Sequence, residues 1–297
     1  MKENKKVNNE IKDERLYFWL VDPKKPFKKN RFELTLILGV DYRKGQKTFL
    51  CKVNKKDISG RKQFGTRVIA KNIEVLQEIN IRKKETEYPL PDWIWDARKM
   101  NLVGLDLTGI EIFYSDFEII EGRKMNLTGA RLNGSSFDLS DLQEVDLSYS
   151  ELESVTFKHT NLANSKFTNA SAISGDFRWS NLSYADMYKL WASVAKFGNA
   201  YMFKTNLEEA DLRSASFANA IMIKSNLAGA ELKGADFFGA NLQGAILDGA
   251  DLSMANFANA NLEDASLVNV KLFNTNLRGA NLMGHNIEIL RDKGAII

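Results

Sequence analysis

The sequence predicts an all-β protein, a four-sided β-helix of about nine and a half coils preceded by a small β-rich domain. Three observations carry that expectation. From Met100 the chain divides into blocks of five without an insertion as far as Ile289, giving 38 blocks in 190 residues. The third residue of each block is Leu, Phe, Ile or Met, except at Gly122, Ala172 and Ala192. Every fourth one is phenylalanine, at Phe117, Phe137, Phe157, Phe177, Phe197, Phe217, Phe237 and Phe257, with Leu277 next in the series.

A period of five suits neither a helix nor a flat strand, whose side chains recur every 3.6 and 2 residues. It does suit a solenoid in which each unit buries its apolar residue only by stacking on its neighbours. Phenylalanines at intervals of 20 residues mean that four blocks complete one coil. The walls are labelled A to D, beginning with Leu102 on A, Leu107 on B, Ile112 on C and Phe117 on D. The eight rings then stack along wall D at about the 4.8 Å strand spacing, and the rod is about 45 Å long. The third position supplies the core. The first also points inward near a corner and is mostly Ala, Ser or Thr from residue 195 onward. Asn and Asp dominate the second position, and positions two, four and five face outward.

The exceptions fit this scheme. Gly122 and Ala192 are small centres, but their blocks open with Ile120 and Leu190, so volume has moved between the two inward positions. Large first positions at Met100, Leu105, Ile110, Ile120 and Met125 predict wider or less regular first coils.

The phrase A(D/N)LXX, as in "ADLRS", "SNLAG", "ANLQG" and "ANLED", resembles the pentapeptide-repeat family over 190 of 297 residues. The resemblance implies a right-handed quadrilateral β-helix; the handedness comes from the family. Some relatives mimic double-stranded DNA and act on DNA gyrase, giving quinolone resistance. Others are bacterial effectors exported into host cells, with a distinct N-terminal region before the rod.

Residues 1–88 read as a basic, β-rich domain whose first 15 or so residues are expected to be disordered. "RFELTLILGV" (31–40) alternates like a strand, "DYRKGQ" is a turn and "KTFLCKVN" (47–54) returns. Residues 66–83 are expected to hold further strands or a short helix. Residues 89–99 are a linker and helical cap, with Asp92 as N-cap and Trp93 and Trp95 covering the first coil. The rod occupies 100–289, and 290–297 form a C-terminal cap or tail. "KKNRFELTLILG" followed by "NKKDISGRKQFG" is similar to a PilZ-type cyclic-dinucleotide motif, with Arg31, Asp57 and Ser59 at matching positions. Its basic spacing departs from that family's, and Lys62 stands where the family has Gly.

Charge divides at the same boundary. Residues 1–99 carry 25 Lys/Arg and 14 Asp/Glu, against 14 and 23 in residues 100–289. Two regions of opposite sign imply two roles or a mutual contact. Side B of the rod, with seven acids and two bases, is the acidic wall that a DNA mimic would use. The lone Cys51 excludes an intramolecular disulfide framework. "MKENKKVNNEIKDER" has no apolar h-region, and no apolar run is long enough to span a bilayer. The protein therefore reads as cytoplasmic, or exported to a host cell without a classical signal peptide.

Nothing in the pattern points to catalysis. The two histidines, His159 and His285, are far apart, and no Cys/His set has metal spacing. No catalytic, cofactor-binding or metal-binding residue is expected. Asp211, Glu231 and Asp251 stack on wall C, where Arg213 and Lys233 offset them as surface ion pairs. The candidate contact surface consists of apolar residues at outward positions. Tyr201 and Ile221 occupy the second position on wall A, Phe203 and Ile223 the fourth, and Trp179 lies at the adjoining corner. A contiguous apolar patch marks a contact. The expected function is a non-enzymatic scaffold presenting this surface to a protein partner. Docking of the N-terminal domain and homodimerisation are alternative uses of the patch, and nucleic acid is expected to bind only through residues 1–99.

Overall fold

A computed structural model describes residues 96–297 in full and the backbone of three strands before them. Those strands are β1 (Asp13–Asp22), β2 (Lys25–Ile37) and β3 (Leu50–Val53), in an antiparallel sheet of order β1-β2-β3. Leu16 pairs with Leu34 across β1 and β2, and Leu34 with Val53 across β2 and β3. The register of β1 against β2 shifts between Val21 and Asp22. β1 opens at Asp13, inside the segment expected to be disordered. The expectations for residues 66–83, the cap formed by Asp92, Trp93 and Trp95, and Asp57, Ser59 and Lys62 lie outside the described residues.

From Asp96 onward the chain coils. Every bridge pairs two residues 20 apart and in parallel, from Asp96 with Asp116 to Asn276 with Ile296. Four backbone bonds recur in nearly every block. The third N–H donates to the second carbonyl one coil on, as in Leu102 to Glu121 at 2.7 Å. The fifth donates to the fourth carbonyl one coil on, as in Gly104 to Arg123 at 2.8 Å. The second donates one coil back (Glu121 to Met100, 3.0 Å), and the first closes the corner onto the preceding centre (Leu105 to Leu102, 3.0 Å). Only the fourth N–H is left over, and a buried or crowded donor needs a partner.

That leftover donor explains the second position. Its Asn or Asp side chain accepts from the N–H two residues on, an Asx-turn: Asp106 from Thr108, Asn181 from Ser183 and Asn241 from Gln243, each at 3.1 Å. Each corner also needs a residue at φ > 0, the signature of a type II turn. The fifth residue of every block, from Lys99 to Gly284, has it: 27 non-glycine residues and 11 glycines. Ile119 (φ 61) and Val194 (φ 53) are β-branched residues held there, where L-residues are strained.

Among the described residues the rod already includes one block before its sequence pattern, and it ends one block earlier than that pattern. Residues 96–99, expected in the linker, already form a wall: Asp96 pairs with Asp116 and Ala97 is fully buried. "HNIEI" (285–289), expected as the last block, instead turns into helix α1 (Ile287–Asp292). Asn286 caps it, accepting from the N–H groups of Glu288 and Ile289, and Leu290 packs into the open end. The tail then rejoins the coil, with Leu277 donating to Ile296 at 2.7 Å.

The core is the column on wall D. Successive rings from Phe117 to Phe257 stack at 4.4–5.3 Å, all fully buried. Each buried ring contributes roughly 2–3 kcal/mol from area alone. Tilts of 17° and 19° at Phe137–Phe157 and Phe157–Phe177 have a visible cause. Phe167, on wall B, meets Phe157 and Phe177 edge-on at 6.0 and 5.8 Å. It fills the coil in which Ala172 leaves room. Gly122 has no space for a side chain, since a Cβ there would meet Leu142 and Met125 at 2.6 Å. Ile120 and Leu190 are buried, as the transfer of volume requires. In the first coils the corner N–H groups of Ser115 and Ile120 donate instead to the hydroxyls of Ser135 and Ser140 one coil on.

Candidate interaction surface

On wall A the second positions from Asn161 to Asn281 are asparagine except at Tyr201 and Ile221. The asparagines bond along the rod through their side chains: Asn181 donates to Asn161 at 3.1 Å, Asn261 to Asn241 at 3.2 Å, and Asn281 to Asn261 at 2.9 Å. Tyr201 and Ile221 pair with each other and interrupt this ladder between Asn181 and Asn241. They are 47% and 38% exposed. Neither supplies the carboxamide oxygen that elsewhere caps the N–H two residues on, so local stability has been given up for exposed apolar surface.

Around that break the wall is apolar and cationic. Phe203 and Ile223 are half-buried beside Tyr201 and Ile221. Tyr184, one coil before Phe203, meets its ring edge-on at 5.5 Å. The Lys204 ammonium lies 5.5 Å from the Phe203 ring and 5.9 Å from the Tyr184 ring. Trp179 is 46% exposed, but its ring stacks on His159 at 5.1 Å with the Arg178 guanidinium 5.3 Å away. Its ring partners thus belong to wall D, whereas the other four expected residues share wall A. Tyr184 and Lys204 were missed by the sequence reading. Their signal was available, because both occupy fifth positions on wall A, one coil apart.

The remaining charge is largely arranged in pairs. Arg131 bridges Glu111 at 3.0 Å and Glu151 at 2.6 Å, one coil to either side. On wall C, Arg213 holds Asp211 at 2.6 Å and Lys271 holds Asp251 at 3.2 Å. The hydrogen bond from Arg213 keeps the Asp211 carboxyl below the usual carboxylate range. Burial works to raise Asp176, but the hydrogen bonds and charge of Arg178 more than offset it and lower that carboxyl as well. On wall B, Glu209 pairs with Lys189 at 3.1 Å and Asp186 accepts from Asn206 at 2.9 Å. Glu288, counted on wall B by the block pattern, sits in α1 instead. Among the described residues no group of three or more His, Cys, Asp or Glu side chains is placed to hold a metal ion. No helix among them is long and apolar enough to cross a membrane.

Comparison with known proteins agrees with the coil geometry. The model of pentapeptide repeats matches residues 126–158, 195–227, 222–253 and 250–286, in eight copies. The rod carries the repeats of the pentapeptide-repeat family. No curated protein matches. Among solved structures, QnrB1, a plasmid-mediated fluoroquinolone resistance protein, is 21% identical over 68% of this chain and 95% of its own, with a TM-score of 0.32. HetL, a pentapeptide repeat protein involved in heterocyst differentiation regulation from the cyanobacterium Nostoc sp., is 24% identical over 62% of this chain and 87% of its own (TM-score 0.22). A pentapeptide repeat protein from the cyanobacterium Cyanothece is 37% identical over 35% of this chain and 62% of its own (TM-score 0.15). These TM-scores are low, so the assignment rests on the repeat model and the coil.

Proposed function

We propose that this right-handed quadrilateral β-helix is a non-enzymatic scaffold whose wall A docks a protein partner through Tyr201, Phe203, Ile221 and Ile223. The observation that carries the reading is the break in the asparagine ladder. A purely structural wall would keep asparagine there, for its turn cap and its ladder bond. Two adjacent coils replace it with exposed Tyr and Ile, and a contiguous apolar patch of this kind marks a contact. Trp179 stands at the rim of that surface, engaged with His159 and Arg178.

The test is affinity capture from the native host with wild type and with Tyr201→Asp/Phe203→Asp as baits. The wild type retains a partner that the double variant loses, while both keep the same far-ultraviolet circular dichroism. An unchanged partner set removes wall A from the account. A DNA-mimicking modulator of gyrase would need concentrated negative charge. Wall B within the rod has six acids and two bases, and several of its carboxylates are engaged by neighbours. A supercoiling assay in which purified protein alters gyrase activity would revive that reading.

A further inference from the structure

We infer that the partner of wall A is a protein segment of acidic character, carrying carboxylates beside its apolar side chains, and that Lys204 and Lys224 select it. This rests on the reading of wall A as a docking surface and adds the chemistry of what docks.

The charges of wall A are segregated along the rod. Its carboxylates lie at Glu121, Asp141 and Glu144 toward one end and at Glu263 and Asp264 toward the other. The five consecutive blocks between them, "TNLAN", "SNLSY", "AYMFK", "AIMIK" and "ANLQG", contain no acid and two bases, Lys204 and Lys224. These lysines occupy fifth positions one coil apart, both exposed, at the edge of the apolar patch. Elsewhere the rod offsets such neighbours: Lys124 faces Glu144, Lys158 faces Asp138 and Lys189 faces Glu209. Like charges side by side on a ladder destabilise it. Yet neither Lys204 nor Lys224 has a carboxylate within ion-pair distance among the described residues.

The nearby acids of wall B are engaged otherwise. Glu208 accepts from Asn226 at 3.0 Å, and Glu209 is held by Lys189 at 3.1 Å and by the Tyr188 hydroxyl at 3.2 Å. Lys204 instead rests against the Phe203 and Tyr184 rings, and the Lys224 stem passes 3.5 Å from where a side chain on Gly244 would begin. The result is an apolar strip with two ammonium groups along one edge and no acid of its own. Charge complementarity therefore favours an acidic occupant. It disfavours the chain's own first 99 residues, which carry 25 bases against 14 acids.

The test uses the full-length protein and a random peptide display library as the probe. Peptides are selected on wild type, then measured as synthetic peptides by fluorescence anisotropy against wild type, Lys204→Glu/Lys224→Glu and Tyr201→Asp/Phe203→Asp. Expected are peptides that pair aromatic or aliphatic residues with Asp or Glu. They should bind the lysine-reversed variant at least tenfold more weakly, and their affinity for wild type should fall as salt rises. Enriched peptides that are neutral or basic, or that bind the lysine-reversed protein equally well, overturn the inference. If such peptides still lose binding to Tyr201→Asp/Phe203→Asp, the docking surface stands and only its acidic specificity falls. If binding survives both double variants, or nothing is enriched, wall A itself is refuted as the site.

Discussion

Replacing Phe197 with alanine removes a ring from the middle of the column that organises the rod. Phe197 is fully buried and stacks at 4.8 Å on both Phe177 and Phe217, with interplanar angles of 7° and 3°. Transfer of the ring to water accounts for about 3 kcal/mol. The cavity and the two lost stacking contacts add to that, within the range of about 3–5 kcal/mol typical of buried Phe→Ala changes. A loss of about 4 kcal/mol is expected, against about 1–2 kcal/mol for Phe197→Leu, which keeps most of the volume. Coils touch only their neighbours, so the weakened coil should also loosen the coupling between the two halves of the rod. Urea unfolding of the full chain, followed by far-ultraviolet circular dichroism, reads both effects as a lower midpoint and a broader or split transition. A loss below about 1 kcal/mol with a single sharp transition would refute both the place of the column as the core and the coupling of the two halves through it.

The second position should be as sensitive as its hydrogen bonds imply. Asn261 caps the Glu263 N–H at 3.1 Å, donates to Asn241 at 3.2 Å and accepts from Asn281 at 2.9 Å, so Asn261→Ala should cost about 2 kcal/mol by urea unfolding. Asn261→Asp, which keeps the cap but not the donor, should cost less. At the corners, Val194→Asn replaces a β-branched residue at φ 53 with the type found at Asn199 and Asn219, and should stabilise by about 0.5–1 kcal/mol, seen as a rise in melting temperature. No gain would show that the Val194 corner is unstrained. The depressed carboxyls of Asp141, Asp176, Asp211 and Asp251 contribute stability that is fully present above the ordinary carboxylate range and is lost as pH falls through their lower folded values. Thermal melts should therefore hold steady from pH 7 to pH 5 and decline below about pH 4. Asp176→Asn should flatten that decline, and an unaltered profile would show that the Arg178 pairing adds nothing to stability.

Much of this architecture was legible in the residue pattern because repetition multiplies a weak signal. One apolar residue in five says little, but eight phenylalanines at a fixed interval define a coil and its register. The candidate surface was partly legible for the same reason, since Tyr201 and Ile221 stand out only against the asparagines around them. Trp179 was harder to place. Its corner position allows the ring to turn toward either wall, and His159 and Arg178 drew it toward wall D. Tyr184 and Lys204 stand one coil apart at fifth positions but were overlooked because that position takes many residue types, so neither breaks a run of like residues.

The sequence by itself determined the four-sided coil, the inward and outward positions and the ring column, because these follow from which side chains must leave water at a fixed period. Only the tertiary structure decided that the coil already includes Asp96 and where it ends. Asp96 joins it because a next coil exists to receive its hydrogen bonds, and "HNIEI" leaves it because Asn286 can cap a helix where no further coil follows. The structure also revealed why the second position favours Asn and Asp. Four N–H groups of each block find backbone partners and that of the fourth position does not, a shortfall that becomes visible only when every donor has been traced to its acceptor.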